Sequence, residues 1–133
     1  PDDALAAAQR GLALAEAMER REEIGWAWRV LGQVAAQDAS GRVAARAGEP
    51  AVDAPGCFAE SLRILAEIHV DVERAQTLRA WARYARARGD AAREAELWRE
   101  AREIFARLGM EPEVRRMDEE RPPSCREHLS ALH

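Results

Sequence analysis

Apolar residues recur along this chain at spacings of three and four, the period of a helix that buries one face. Over residues 3–23, Leu5, Ala8, Leu12, Ala15 and Met18 form such a stripe, with Asp2 or Asp3 as its cap. Residues 24–37 form a second helix, with Trp28, Leu31 and Ala35 on one side. The pattern then breaks over residues 38–56, DASGRVAARAGEPAVDAPG, which hold three glycines and two prolines. Such a stretch predicts a long loop, and a loop of that length is either mobile or specialised. Periodicity resumes at Cys57, and Phe58, Leu62, Leu65 and Ile68 line a third helix as far as Val72. A fourth, 72–88, carries Leu78, Trp81 and Ala85, and Gly89-Asp90 makes a tight turn. A fifth, 91–108, carries Leu97, Trp98, Ala101, Ile104 and Phe105, with Gly109 as its left-handed stop. Residues 111–120 begin a further helix, which Pro122-Pro123 ends. The domain is therefore expected over 1–120. A weakly ordered tail follows over 121–133, where Leu129 and Leu132 are the residues able to dock.

The helices repeat. Shifting the chain by 40 residues lays FAESLRILAEIHVDVE, from Phe58, over WREAREIFARLGMEPE, from Trp98. Glu60 then falls on Glu100, Ile64 on Ile104 and Glu73 on Glu113. A shift of 50 lays Ala8 on Phe58, Leu14 on Ile64, Glu23 on Glu73, Trp28 on Leu78 and Leu31 on Trp81. The ten-residue difference sits in the Gly/Pro-rich stretch, so one copy of a helix-pair repeat carries an insertion. A single helix pair cannot bury its apolar face alone, whereas stacked pairs share a continuous core.

These segments resemble the tetratricopeptide repeat family. WRVLGQVAA, residues 28–36, matches its first-helix pattern through Trp28, Leu31, Gly32 and Ala35. LRAWARYARARGD, residues 78–90, is a poorer copy through Leu78, Trp81, Ala82 and Ala85. AELWREAREIFARLG, residues 95–109, is similar to the second helix, with Trp98 and Ala101 at its aromatic and small positions. The usual proline after the second helix is missing, and Pro112 comes later. The resemblance covers residues 4–120. It implies an all-α fold of five to six helices, antiparallel pairs stacked into a short right-handed solenoid. The first helix would be the second half of a truncated repeat. The texture of the repeat is most similar to the arrays that follow ATPase modules in large bacterial signalling proteins, and the start at Pro1 agrees with a piece of such a chain.

Composition agrees with helices. Ala, Glu, Arg and Leu dominate, all strong helix formers. With 47% hydrophobic and 33% charged residues the chain can both fold and dissolve, unlike a disordered segment. The net charge of −4 opposes a nucleic-acid partner, whose surface would attract a basic protein. No run approaches the length of a membrane span, and no secretory signal is visible. Cys57 and Cys125 sit in no metal or redox motif, which suits a cytoplasmic protein.

Catalytic chemistry finds no constellation in the sequence. His69, His128 and His133 are scattered without ligand spacing. No phosphate-binding glycine motif and no nucleophile–base pattern occurs, so the expectation is no enzyme, no metal and no cofactor. Arg79, Arg83 and Arg86, spaced four and three, share one helical face. Guanidinium groups on one face suit carboxylates, which they bind bidentately, or they are a solvated face paired to nearby glutamates. Trp28, Trp81 and Trp98 lie on apolar stripes and read as core, whereas Trp26 lies off its stripe and is free to make a contact. The family resemblance implies a concave groove lined by the first helix of each pair. It puts Trp26, Arg29, Gln33 and Gln37 there from one repeat and Gln76, Arg79, Arg83 and Arg86 from the next. The implied function is a protein-interaction or scaffolding module whose groove takes a peptide, an acidic one as an option, or a neighbouring domain. The alternatives are a spacer or self-associating element, in which the loop serves as a hinge between copies, and, with least support, a nucleic-acid-binding repeat.

Overall fold

The computed structural model describes residues 2–121, so the expectations for the tail, with Leu129, Leu132, Cys125, His128 and His133, lie outside the described residues. Among the described residues six helices follow one another: α1 (Asp2–Ala17), α2 (Arg21–Gln37), α3 (Ala54–Glu67), α4 (Asp71–Ala87), α5 (Ala91–Arg107) and α6 (Glu111–Glu120). They pack sequentially as adjacent pairs: α2 lies along α3 and α4 along α5, with α1 against α2, α3 against α4 and α6 against α5.

Four of the helix ends are built alike. After α1, α3, α4 and α5 one residue takes a left-handed conformation: Glu19 (φ 53°), His69 (φ 58°), Gly89 (φ 78°) and Gly109 (φ 73°). At each, the next amide returns to a carbonyl five residues back, as Arg20 to Ala15 (2.9 Å), Val70 to Leu65 (3.1 Å), Asp90 to Ala85 (2.9 Å) and Met110 to Phe105 (2.9 Å). This closure satisfies carbonyls that the helix leaves without a partner and aims the chain back for an antiparallel neighbour. Gly109 stops α5 as the sequence predicts; Glu19 and His69 do the same work without the glycine that marks it.

The long loop expected over 38–56 is shorter and folded. α3 begins at Ala54, because Asp53 caps it by accepting the Gly56 amide (2.8 Å) and Pro55 stands in the first turn. Proline is welcome there, since the first-turn amides have no intrahelical partner. Two short strands, β1 (Arg42–Val43) and β2 (Val52–Asp53), pair antiparallel with Val43 opposite Val52 and Arg42 opposite Asp53. Val43 and Ala45 are buried, Gln9 donates to the Ala44 carbonyl (2.7 Å), and Arg46 pairs with Glu16 of α1 (2.5 Å). The stretch is thus a hairpin closed onto α1 and α2, and the described residues are otherwise helical.

Two apolar clusters fill the molecule. One joins α1, α2, the hairpin and α3 around Leu12, Trp28, Leu31 and Phe58; the other joins α4, α5 and α6 around Leu78, Trp98, Phe105 and Met117. Trp81 packs against both, and its ring stacks 6.1 Å from that of Phe58. α2 approaches α3 closely: a Cβ on Gly25 would stand 2.6 Å from the Leu65 side chain, and one on Gly32 2.6 Å from the Phe58 ring. Ser61, fully buried, ties the approach by donating to the Gly25 carbonyl (2.8 Å) and meeting the Thr77 hydroxyl at 2.9 Å.

Candidate functional site

A groove of about 500 Å³ runs between α2 and α4. Gln33, Ala36 and Gln37 form one wall, Ala80, Arg83 and Ala87 the other, and Phe58 and Tyr84 lie between them. Their rings are 6.3 Å apart and tilted, so the groove has an aromatic floor beneath polar walls. Gln33 and Gln37 are exposed, with one carbonyl acceptor and two amide donors each. Of the eight residues singled out from the sequence, the structure brings Gln33, Gln37 and Arg83 together here.

The remaining arginines are held elsewhere. Arg29 of α2 donates to Glu73 of α4 (2.7 Å), and both side chains are 19% exposed. Arg79 pairs with Glu113 of α6 (3.1 Å), donates to Gln76 and lies 5.3 Å from the centre of the Phe105 ring. Arg29 thus links α2 to α4 and Arg79 links α4 to α6, with Gln76 accepting from Arg79 within α4. Arg83 and Arg86 stand nearer to solvent. Arg83 forks onto Glu120 of α6 (2.9 and 2.7 Å). Arg86 bonds the buried Glu94 of α5 (2.5 Å), reaches Glu120 at 3.7 Å and lies 5.3 Å over the Trp98 ring. The arginine face is therefore paired with glutamates of its own chain, the second of the two readings open from the sequence. The Arg83 guanidinium, more than burial opposes it, holds the Glu120 carboxyl below its ordinary pKa.

Trp26 departs from expectation. It shares the outer face of α2 with Gln33 and Gln37, but two turns earlier, where α1 rather than α4 is the neighbour. There it lines a second groove of about 500 Å³ with Ala4, Ala7, Gly11, Glu23 and Val30. Trp28 and Trp98 are buried and Trp81 half-buried, as their stripes predict. The sequence reading missed Tyr84 and Phe58 as groove residues. Tyr84 stands three residues from Trp81 and four from Ala80, a spacing that marks it as facing the same side of α4. Phe58 was legible only as core, and it is core: it lies against the groove while only 1% exposed.

Among the described residues no group of three or more His, Cys, Asp or Glu is placed to hold a metal ion, and no helix is long and apolar enough to cross a membrane. Cys57 is buried, and burial, with the nearby Asp53 carboxylate, pushes its thiol up to about 11, away from nucleophilic service at neutral pH. No family model, no curated protein and no solved structure matches this chain.

Proposed function

We propose that the chain is an interaction module of stacked helix pairs, of tetratricopeptide type, that binds an extended segment of another polypeptide in the α2–α4 groove. The observation that carries this reading is the groove: two exposed glutamines and a solvent-accessible guanidinium over an aromatic floor. Amide side chains in that position can bond the backbone of a segment laid along them, and the aromatic floor takes an apolar side chain between. Arg83 gives the groove a preference for carboxylates, which must compete with Glu120.

Stacking of like units is supported by an interaction that occurs twice. Glu23, Glu73 and Glu113 are each the third residue of α2, α4 and α6. Arg29 of α2 meets Glu73 of α4, and Arg79 of α4 meets Glu113 of α6. Arg79 lies 50 residues after Arg29 and Glu113 lies 40 after Glu73, the two shifts that superpose the sequence on itself. One contact joins successive first helices in both places, which is the behaviour of a one-dimensional stack. The left-handed residues Glu19, His69 and Gly109 recur at the same two shifts.

The test is an array of ten-residue peptides, matched in length and differing in Asp/Glu content and in one central apolar residue, probed with the intact chain. Acidic peptides with an apolar centre should bind. Amide signals of Gln33, Gln37 and Tyr84 should shift in a nuclear magnetic resonance titration of the best of them, and binding should weaken with salt. Shifts confined to other surfaces would overturn the site.

A further inference from the structure

A cleft of about 300 Å³ shares Tyr84 with the α2–α4 groove but opens on a different face of α4. Ala80, Tyr84 and Ala87 line the groove; Trp81, Ala85 and Arg88, each one residue further on and so about 100° around the helix, line the cleft. Pro55 of α3 and Asp90 and Arg93 at the start of α5 complete it, so its walls all come from the middle of the chain. Two guanidinium groups lie on its rings. Arg93 stands 4.7 Å over the Trp81 ring, which stacks in turn on Phe58 (6.1 Å), and Arg88 stands 6.0 Å over the Tyr84 ring. These two arginines differ from those of the α4 face. Arg79, Arg83 and Arg86 each have a carboxylate from α5 or α6. Arg88 makes no ion pair among the described residues. Arg93 reaches Glu96 of its own helix at 3.5 Å, a pair worth little because both side chains are open to solvent (41% and 58%). Asp90 is engaged otherwise, its carboxylate accepting the Arg93 amide (3.1 Å) as the cap of α5.

We infer that this cleft binds a phosphomonoester, with Arg88 and Arg93 on the phosphoryl group and the ester's apolar part against Pro55, Ala85 and the half-buried rings of Trp81 and Tyr84. The rings hold the guanidinium planes in place before a ligand arrives, which lowers the ordering cost of binding, and they leave the N–H edges free to bond. Two guanidinium forks present more donors than the two oxygens of a carboxylate use. They match the three terminal oxygens and nearly two negative charges of a phosphoryl group. Asp90 is the one carboxylate in the lining, so two cations against one anion leave the cleft positive within a chain of net charge −4. A volume of about 300 Å³ is at the low end for small-molecule clefts, and suits a phosphoryl head with one ring rather than a whole cofactor. The site does not depend on the stacking of repeats or on occupancy of the α2–α4 groove.

The probe is phenyl phosphate, titrated into the intact chain while the four indole N–H signals are followed by nuclear magnetic resonance, with Trp81→Phe assigning that of Trp81. The Trp81 signal should move to saturation while those of Trp26 and Trp28 stay in place. Benzyl alcohol, which has the ring and no charge, should not bind, and benzoate should bind more weakly than phenyl phosphate. Arg88→Glu, at an exposed position, should weaken phenyl phosphate by about tenfold or more, and Arg88→Lys, which keeps the charge and loses the fork, by less. Arg83→Ala in the other groove should leave the affinity unchanged, as should Arg99→Glu, an exposed site that matches the change in net charge. A ten-residue peptide carrying phosphotyrosine distinguishes the source. Tighter binding than phenyl phosphate assigns the cleft to a phosphorylated segment, and equal or weaker binding assigns it to a free phosphomonoester. A Trp81 signal that does not move in a chain shown by circular dichroism to be folded overturns the inference. So does benzoate or benzyl alcohol binding as tightly as phenyl phosphate, or an affinity indifferent to Arg88→Glu.

Discussion

Left-handed residues show how much a single position decides. Glu19 and His69 hold φ values of 53° and 58°, where a side chain is strained and glycine is not. Both are exposed and belong to the same closure that Gly89 and Gly109 make freely. His69→Gly should therefore stabilise the chain, by up to about 1 kcal/mol, and Gly109→Ala should destabilise it by a similar amount. Urea unfolding followed by tryptophan fluorescence reads both; a loss of stability in His69→Gly would mean that the histidine side chain contributes more than its backbone costs. Ser61 is the opposite case, a buried hydroxyl whose partners are both on other helices. Ser61→Ala leaves the Gly25 carbonyl and the Thr77 hydroxyl short of a partner in the core, and should cost about 1–3 kcal/mol in the same assay.

Elements are set by pattern, and here the sequence was most informative. Periods of three and four located all six helices, and α6 has the predicted bounds, Glu111–Glu120. The misreadings cluster where proline and glycine were taken as breakers alone. Pro55 and Gly56 stand inside the first turn of α3, and Asp53 before them is the cap that makes sense of both. The hairpin was illegible because strands of two residues carry no period; only Val43 and Val52 are apolar, and what fixes them is burial against α1 and α2. Glycines within α2 carry a different message. Gly32 permits contact with the Phe58 ring, so Gly32→Ala forces a buried aromatic to move. That overpacking should cost about 1–3 kcal/mol despite the better helix propensity of alanine. Thermal unfolding of the variant checks it, and an unchanged midpoint would show that α2 and α3 are not so closely packed.

At the scale of the whole molecule, ion pairs add to what the apolar clusters hold. Arg29–Glu73 joins α2 to α4 across the two clusters, while Arg79–Glu113, Arg83–Glu120 and the Arg102–Asp118 fork (2.8 and 2.9 Å) tie α6 to α4 and α5 within one of them. Spacing alone put three arginines on one face, but it could not tell whether their carboxylates came from a partner or from α6, because that depends on where α6 packs. The Glu16 and Glu120 carboxyls are held below their ordinary pKa, chiefly by hydrogen bonds from Arg46 and Arg83 respectively. A lowered folded-state pKa stabilises the fold above the unfolded pKa and is lost as pH falls through the folded one. Stability should thus decline below about pH 5 as these carboxyls protonate. The loss in urea midpoint between neutral and acid pH should be smaller in Glu120→Gln, and an equal loss would remove Glu120 from the account.

The proposed function requires that the α2–α4 groove bind an acidic segment in competition with Glu120. The direct measurement is the affinity of one acidic peptide with an apolar centre for the intact chain, for Glu120→Gln and for Arg83→Ala. Releasing Arg83 in Glu120→Gln should tighten binding by about three- to tenfold, the effect of roughly 1 kcal/mol in one exposed pair, while Arg83→Ala should weaken it. Equal affinity across all three chains, each shown to be folded, would contradict the groove as the binding site and leave its arginines as ties between helices.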